Sequence, residues 1–265
     1  ISPKLLKKIQ FIIEPWIDFM INDWQKRGLI KSNYKRYSFN KRLLLAWKNS
    51  GFPKFRRRPN KWLISNKMYE LLTNKLLINI ATELLGTKEI SVHGIFNIRP
   101  MMPNCEFTKA PFHQDSQYWK LDYGQKLDNP SKSHDVITFF IPLQDVDKKG
   151  GCLSLISLKD TKRKLFHPKE YNFRETGYLG LKKKDILKFR NHPISMKKGD
   201  VLCFNHLTPH GTNPLKKNYV RWSLDIRYEC TKKATGIGKK YGFVANSKNK
   251  KNITKISDWL KRKQI

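Results

Sequence analysis

The chain has 265 residues, of which 39% are hydrophobic and 12% aromatic, which is typical of a globular protein and excludes a largely disordered one. No apolar run approaches the roughly 18 residues that a membrane helix needs. The four cysteines form no Cys-x-x-Cys pair, which argues against a zinc ribbon and a disulfide scaffold. We therefore expect a cytoplasmic, intracellular protein with reduced thiols and no membrane partner.

The charge is strongly positive, at +33, because 54 Lys and Arg residues face only 21 Asp and Glu residues. A charge of this size attracts polyanions and anionic small molecules. The lysines are scattered over many turns instead of forming one patch. We therefore expect a small-molecule partner and no dedicated nucleic-acid partner, and the sequence gives no indication of the oligomeric state.

The first third of the chain reads as helical. After Pro15, apolar residues recur at helical spacing as far as Gly28, which predicts a helix with Pro15 in its first turn. Residues 41–48 and 66–85 repeat the pattern, and Gly86 is placed to end the second of these helices.

From residue 90 the chain changes to short segments rich in Val, Ile, Phe and Tyr, separated by turn residues. The candidate strands are residues 90–96, 136–143, 152–156, 193–196, 201–204 and 219–228. Residues 147–151, with two glycines, predict a hairpin loop. Helices followed by many short antiparallel strands predict a β-sandwich or jelly roll with a helical layer outside.

We expect a single domain over residues 1–265, since this length is enough for one substantial core. Its predicted parts are a mostly helical support (1–89), a β-rich core (90–230) and a C-terminal extension (231–265) that ends in a short basic helix. Within the core, the long segment 159–191 is expected to form a lid, because long loops in compact domains are commonly functional.

Two residues of one short segment could share a metal ion. In an extended strand, residues two apart point to the same side, so His113 and Asp115 would both face inward. This pairing alone is common by chance, and it needs a further ligand to carry weight.

His210 provides that third ligand, because it follows the apolar strand 201–204 and stands beside Gly211. Two histidines and one carboxylate on one face of a metal, with other positions open, describe the facial triad of oxygen-activating iron enzymes. Arg221 lies eleven residues after His210 on the next predicted strand. Its guanidinium fork suits the distal carboxylate of a keto diacid.

These motifs together resemble the phytanoyl-CoA dioxygenase (PhyH) family over roughly residues 90–230. The matching motifs are His113-Gln114-Asp115, Tyr118-Trp119, Gly151-Cys152-Leu153, Gly199-Asp200, His210 and Arg221. The resemblance implies a mainly β fold with flanking helices, built on a double-stranded β-helix (jelly roll, cupin-like) core. It also implies Fe(II), 2-oxoglutarate as co-substrate, O2, and usually hydroxylation of an unactivated carbon.

The resemblance also implies roles for individual residues. The implied iron ligands are His113, Asp115 and His210. The implied contacts to 2-oxoglutarate are Arg221, Thr212, Asn97 and Phe140. The presence of Asp115 favours hydroxylation, desaturation or ring formation over halogenation, because related halogenases replace that carboxylate with a small residue.

Candidate substrate contacts follow from position in the chain. Strand alternation puts Asp225 and Arg227 on the same face as Arg221, where they would contact substrate or form an ion pair. Gln117 would share the inward face of the strand that contains His113 and Asp115. The remaining candidates, which could instead pack or face solvent, are Tyr118, Trp119 and Arg99.

The favoured interpretation is thus an Fe(II)- and 2-oxoglutarate-dependent dioxygenase that hydroxylates a small, anionic or zwitterionic molecule, free or attached to a carrier. The alternative from another class is a non-catalytic double-stranded β-helix protein that binds an anionic ligand or nucleic acid. A metal cupin with different chemistry is a third alternative, although cupins usually use more histidines.

Overall fold

The fold begins with amphipathic helices that cover one side of a β-sheet. The computed structural model describes residues 1–53, 63–122, 136–166, 168–171 and 178–261, with the side chains of 119–122 and 168–171 outside that description. The helices of the first third are α1 (Pro3–Lys26), α2 (Phe39–Asn49), α3 (Asn66–Leu72) and α4 (Lys75–Leu85).

Helix α1 is longer than the sequence predicts. It begins at Pro3, where the side chain of the N-cap residue Ser2 accepts a hydrogen bond from the Leu5 backbone N–H. The prediction that the helix begins near Pro15 is wrong, because Pro15 lies inside it. The apolar stripe from Leu5 to Trp24 is buried, and this burial outweighs the one backbone hydrogen bond that a proline cannot make.

The helix predicted over residues 66–85 divides into α3 and α4. The side chain of Asn74 accepts from the Leu76 N–H and so begins a new helix. Helix α4 ends at Gly86 as predicted, with this glycine in the left-handed region at φ 63°.

The strands form a main sheet and a smaller one, with short helices between them. The strands are β1 (Ile90–Val92), β2 (Asn97–Met101), β3 (Val136–Pro142), β4 (Leu153–Ile156), β5 (Pro168–Tyr171), β6 (Tyr178–Leu181), β7 (Asn191–Ile194), β8 (Leu202–Asn205), β9 (His210–Thr212), β10 (Arg221–Cys230) and β11 (Phe243–Asn246). The later helices are α5 (Asp115–Asp122), α6 (Lys183–Ile186), α7 (Gly236–Tyr241) and α8 (Ile256–Leu260).

The main sheet has the order β11-β1-β10-β3-β8, and β2 also pairs with β10. The minor sheet has the order β7-β4-β9, while β5 and β6 pair with each other. All of these described pairings are antiparallel. The structure therefore confirms the predicted fold class of antiparallel β-sheets with flanking helices.

Strand β10 shows how the sequence assigns its two faces. Trp222, Leu224, Ile226 and Tyr228 are fully buried and belong to the same core as the helices. The ring of Trp222 meets that of Trp16 on α1 edge-on, with centroids 6.0 Å apart. The residues between them are polar and face the minor sheet, as the two-residue period of a strand requires.

Three parts of the core differ from the predicted strands. The strand predicted over 90–96 ends at Val92, because Gly94 turns the chain at φ 91° and a Cβ there would lie 2.7 Å from the Tyr241 backbone. Strand β11 extends the main sheet into the predicted C-terminal extension. The predicted lid segment contains β5, β6 and α6 among the residues described, and its role as a lid stays a prediction.

Two smaller expectations concern the chain as a whole. The four cysteines are free thiols. Within the described ranges, no helix has both the length and the apolar character to cross a bilayer.

Candidate active site

A small cavity lies between the two sheets. The side chains that line it from the main sheet are Arg99, Thr138, Phe140, Phe204, Arg221, Asp225 and Arg227. Those from the minor sheet and the segment before α5 are Ala110, His113, Leu153, His210 and Thr212.

The two candidate histidine ligands are neighbours through their backbones. His113 and His210 form an isolated antiparallel bridge, in which each N–H donates to the other's carbonyl, at 2.8 and 2.9 Å. Their ring centroids are 4.2 Å apart. The bridge brings together two segments that are almost a hundred residues apart in the sequence.

Hydrogen bonds fix the tautomer of both imidazoles. Nδ1 of His113 lies 2.7 Å from the Pro111 carbonyl, and Nδ1 of His210 lies 2.9 Å from the Thr208 carbonyl. Because a carbonyl oxygen only accepts, each Nδ1 carries the hydrogen and each Nε2 is left with its lone pair. Burial lowers the pKa of both rings, that of His113 to about 3, so both are neutral at physiological pH.

Asp115 reaches the same point from the first residue of a helix. The expectation of an extended segment through residue 117 is wrong, because α5 begins at Asp115. The side chain of Gln117 accepts from the Gln114 N–H at 3.2 Å, which is half of a capping box and favours a helix start at this position. The Gln114 amide fixes the segment further by donating to the carbonyls of Lys164 and Leu207.

The Asp115 carboxylate is buried and held by donors from two strands. Arg227 donates from Nε to Oδ2 at 2.9 Å and from Nη2 to Oδ1 at 2.7 Å, while the Thr138 hydroxyl donates to Oδ2 at 2.6 Å. Burial acts to raise the pKa of this carboxyl. The charge of Arg227 outweighs it, with the neighbouring histidines adding to the effect, and the pKa lies well below its usual range.

The three side chains form a cluster that could hold a metal ion. Oδ1 of Asp115 lies 3.8 Å from Nε2 of His113 and 4.0 Å from Nε2 of His210. One ligand atom from each residue lies within 4.8 Å of the others, and all three residues are buried. Two neutral imidazoles and an ionised carboxylate are the donor set of a non-haem Fe(II) facial triad, so the residues present fit Fe(II).

Arg221 lines the same cavity and is only 1% exposed. Its guanidinium donates to the Ser223 hydroxyl and to the sulfur of Met101, and it lies over the Phe140 ring at 5.5 Å. Among the residues that the structure describes, no carboxylate lies within 4.0 Å of it. Burial lowers its pKa to about 10, so it remains a cation at neutral pH.

Three further residues are expected to contact the co-substrate, namely Phe140, Thr212 and Asn97. Phe140 and Thr212 line the cavity, and Thr212 donates its hydroxyl to the Ala110 carbonyl at 3.0 Å. Asn97 is buried on β2 opposite Asp225, outside the described cavity lining. The contacts of these residues to a co-substrate stay predictions.

Two of the candidate substrate residues pair with each other. Arg99 lies on β2, and its Nε donates to Oδ2 of Asp225 on β10. Both side chains line the cavity, and Nη1 of Arg99 lies 3.4 Å from the Tyr178 hydroxyl. Tyr118 meets the His113 ring edge-on at 5.4 Å, and its hydroxyl accepts from the Leu179 N–H.

The remaining candidates are Gln117, Arg227 and Trp119. Gln117 is buried in α5 and donates to the Phe166 carbonyl at 2.9 Å. Arg227 lines the cavity but pairs with Asp115. The backbone of Trp119 lies in α5, and its side chain lies outside the described part of the structure.

Sequence reasoning did not single out Thr138 or Ser223. Thr138 is opposite Arg227 in the β3–β10 register, and both donate to Asp115. Ser223 lies two residues after Arg221 on the same face of β10, and its hydroxyl accepts from that arginine. The alternation of β3, in which Thr138 shares a face with Phe140, is the signal that could have found the threonine.

A family model for phytanoyl-CoA dioxygenase (PhyH) matches residues 51–221. No curated protein sequence matches the chain. Among solved structures, the non-heme monooxygenase ThoJ in its apo form is 14% identical, with a TM-score of 0.50, and the match covers 72% of this chain and 66% of that one.

Two further structures are similar at comparable distance. AviO1 from Streptomyces viridochromogenes Tue57 is 15% identical, with a TM-score of 0.49, over 86% of this chain and 85% of that one. EvdO2 from Micromonospora carbonacea var. aurantiaca, complexed with 2-oxoglutarate, is 14% identical, with a TM-score of 0.45, over 65% of each chain. At such identity the likeness to ThoJ bears on the fold alone, and the chain spans slightly less than two thirds of ThoJ.

The family match rests on more than half of the chain and contains both candidate histidines, the aspartate and Arg221. It includes most of the segment over which the sequence motifs suggested the same family, and it confirms that resemblance. The chain therefore belongs to the phytanoyl-CoA dioxygenase (PhyH) family of non-haem Fe(II)- and 2-oxoglutarate-dependent oxygenases.

Proposed function

We propose that this protein is an Fe(II)- and 2-oxoglutarate-dependent dioxygenase that hydroxylates an unactivated carbon of a small, anionic or zwitterionic molecule. The observation that carries the proposal is that one cavity is lined by both histidines of a buried His-Asp-His cluster and by a buried arginine that has no carboxylate partner among the described residues. Iron and 2-oxoglutarate together supply O2 activation and oxidation of a C–H bond, which protein side chains cannot supply.

The chain's own residues would bind and orient these groups. His113, Asp115 and His210 would hold the iron, with both histidines offering Nε2. Arg221 would bind the distal carboxylate of 2-oxoglutarate, since a buried guanidinium with free donor capacity needs an anion. Phe140 beneath it would keep that end of the cavity dry.

The charges of the cavity favour an anionic substrate. Arg99 is neutralised by Asp225 and Arg227 by Asp115, which leaves Arg221 as the unbalanced charge among the described lining residues. A divalent metal and a dianionic co-substrate would cancel each other. The remaining positive charge favours a substrate with an acidic group.

Succinate formation tests the reaction class. We expect wild-type protein with Fe(II), O2 and 2-oxoglutarate to form succinate, and His113→Ala to form none, because a triad with one imidazole missing holds iron poorly. A panel of small carboxylic acids and their amides would then be screened for faster succinate formation. We expect the acids to be favoured and the product to gain one oxygen atom by mass spectrometry.

The same assay separates the alternatives. If wild-type protein binds no iron and forms no succinate, the dioxygenase proposal fails and the non-catalytic binding protein becomes the better interpretation. If iron binds but 2-oxoglutarate is not consumed, a metal cupin with different chemistry is favoured.

A further inference from the structure

All three guanidinium nitrogens of Arg227, which lines the cavity, donate hydrogen bonds. Nε and Nη2 donate to the two oxygens of Asp115, and Nη1 donates to the Ile95 carbonyl at 3.3 Å. The side chain is 4% exposed. Two of these three hydrogen bonds go to Asp115, the carboxylate that the proposed function assigns to iron.

The geometry of the Arg227–Asp115 pair decides which oxygen of Asp115 is left to bind a metal ion. A carboxylate offers about four acceptor positions, two on each oxygen. Arg227 approaches with two parallel bonds and therefore takes the edge between the two oxygens. Thr138 takes a second position on Oδ2 at 2.6 Å.

One acceptor position of Asp115 is therefore left, and it belongs to Oδ1. Oδ1 is the oxygen that faces Nε2 of His113 at 3.8 Å and Nε2 of His210 at 4.0 Å. The edge that a metal would need in order to bind both oxygens at once is already occupied by the guanidinium.

We propose that Arg227 is a positioning residue that restricts Asp115 to binding the metal through Oδ1 alone. Thr138 supports this role because its hydroxyl donates to Oδ2. This inference rests on the proposed function. A carboxylate that bound through both oxygens would fill one more coordination position. The site needs its open positions, because 2-oxoglutarate must occupy two and O2 a third.

The competing explanation is that the pair only stabilises the fold. A buried ion pair is weak evidence for stability, because desolvation of both charges offsets much of their attraction. A pair that only stabilised the fold would also not require the guanidinium to cover a particular edge of the Asp115 carboxylate. The two explanations therefore differ in what they predict for the metal itself.

The test counts water molecules on a bound metal ion. Mn²⁺ is loaded under anaerobic conditions without 2-oxoglutarate, and its coordinated waters are counted from the broadening of its electron paramagnetic resonance lines in ¹⁷O-enriched water. We expect Mn²⁺ in Arg227→Gln to keep one water fewer than in wild type, because the freed edge of Asp115 binds through both oxygens. We also expect 2-oxoglutarate to bind the metal-loaded variant at least tenfold more weakly.

Matched variants separate positioning from folding. Arg42→Gln removes another buried arginine, which pairs with Asp18 between α2 and α1 far from the cavity, and it should keep the wild-type water count. Arg227→Lys is a smaller change that also opens this edge and provides the same readout if Arg227→Gln does not fold. Thr138→Val should lower the affinity for 2-oxoglutarate less than Arg227→Lys does.

An unchanged water count in both Arg227→Gln and Arg227→Lys would overturn the positioning role. That result is distinguishable from failure of the proposed function. The water count needs only metal binding, whereas the proposed function fails when wild-type protein forms no succinate.

Discussion

Arg221 is the residue whose chemistry is most specific to the co-substrate. It is buried, it remains charged, and its guanidinium contacts Ser223 and Met101 but no carboxylate among the described residues. Removing the partner of a buried charge costs about 2 to 5 kcal/mol, which is about 30-fold to several thousand-fold in binding. We expect Arg221→Met to raise the KM for 2-oxoglutarate by a factor in that range in the succinate assay.

Arg221→Lys is the informative control for this prediction. It keeps the charge but loses the fork that binds two oxygens, so its KM should lie between wild type and Arg221→Met. Mn²⁺ affinity should be unchanged in both variants, because Arg221 does not contact the His-Asp-His cluster. Equal KM values in wild type and Arg221→Met would show that the carboxylate binds elsewhere.

The candidate site was largely predictable at the level of single residues. The prediction rested on the short spacing of His113 and Asp115 and on the interval between His210 and Arg221. The structure brings the two histidines and the aspartate together in one cluster. The partners of these residues were not predictable, because Thr138 and Arg227 reach Asp115 only through the register of two strands. Gln117 was misplaced because side-chain capping begins a helix where alternation suggested a strand.

At the scale of elements, the end of β10 and the start of α7 enclose a buried carboxyl. Glu229 is 1% exposed; its Oε2 accepts from the Thr235 N–H, and Gly238 leaves room for its Oε1. Burial raises the pKa of Glu229 to about 8, although Thr235 and the charge of Lys239 act to lower it. The folded protein therefore keeps a proton that the unfolded chain releases near pH 4.5.

This difference makes stability depend on pH. Between about pH 5 and 8 the unfolded chain binds fewer protons at Glu229 than the folded protein does, so the contribution of this residue to the free energy of unfolding falls as pH rises. The slope is at most about 1.4 kcal/mol per pH unit. We expect the stability of wild type relative to Glu229→Gln to decline over this range.

Urea unfolding at constant ionic strength, at several pH values from 5 to 8, measures this decline. Glu83→Gln changes an exposed glutamate of α4 and should follow the wild-type profile. Parallel profiles for wild type and Glu229→Gln would mean that Glu229 does not hold its proton in the folded state.

The elements were predicted well where their apolar pattern is strong. The residues of β3 and β10 alternate or are continuously apolar, and both strands lie close to their predicted bounds. Strand β9 was missed because His210-Gly211-Thr212 has neither length nor apolar alternation, and its pairing with β4 depends on the rest of the fold. The early start of α1 was missed because Pro15 looked like a first-turn residue.

At the scale of the whole molecule, two layers were predictable but their connections were not. Helical periodicity before residue 86 and strand periodicity after residue 90 indicate helices packed on antiparallel sheets. The order of strands in the main sheet brings β1, β3 and β10 together from distant parts of the chain. One sequence contains no direct signal for such pairings.

The candidate metal site connects parts of the molecule that are otherwise separate. His210 lies on the minor sheet, His113 is bridged to it, and Asp115 is held by Arg227 and Thr138 of the main sheet. A metal ion would therefore link His210 on the minor sheet to Asp115, which the main sheet holds through Arg227 and Thr138. Because the unfolded chain does not assemble this cluster, binding should stabilise the folded state.

The expected stabilisation follows from mass action. At a free metal concentration of about 100 times Kd, binding contributes about 2.7 kcal/mol, which for a chain of this size raises Tm by about 5 to 10 °C. We expect Mn²⁺ to raise the Tm of wild type by this amount in anaerobic thermal unfolding, and EDTA to reverse it. His210→Ala should lose the shift because it removes one of the three ligands. His192→Ala, on β7 of the same sheet but outside the described cavity lining, should keep it. A shift that survives in His210→Ala would place the metal somewhere other than between the two sheets.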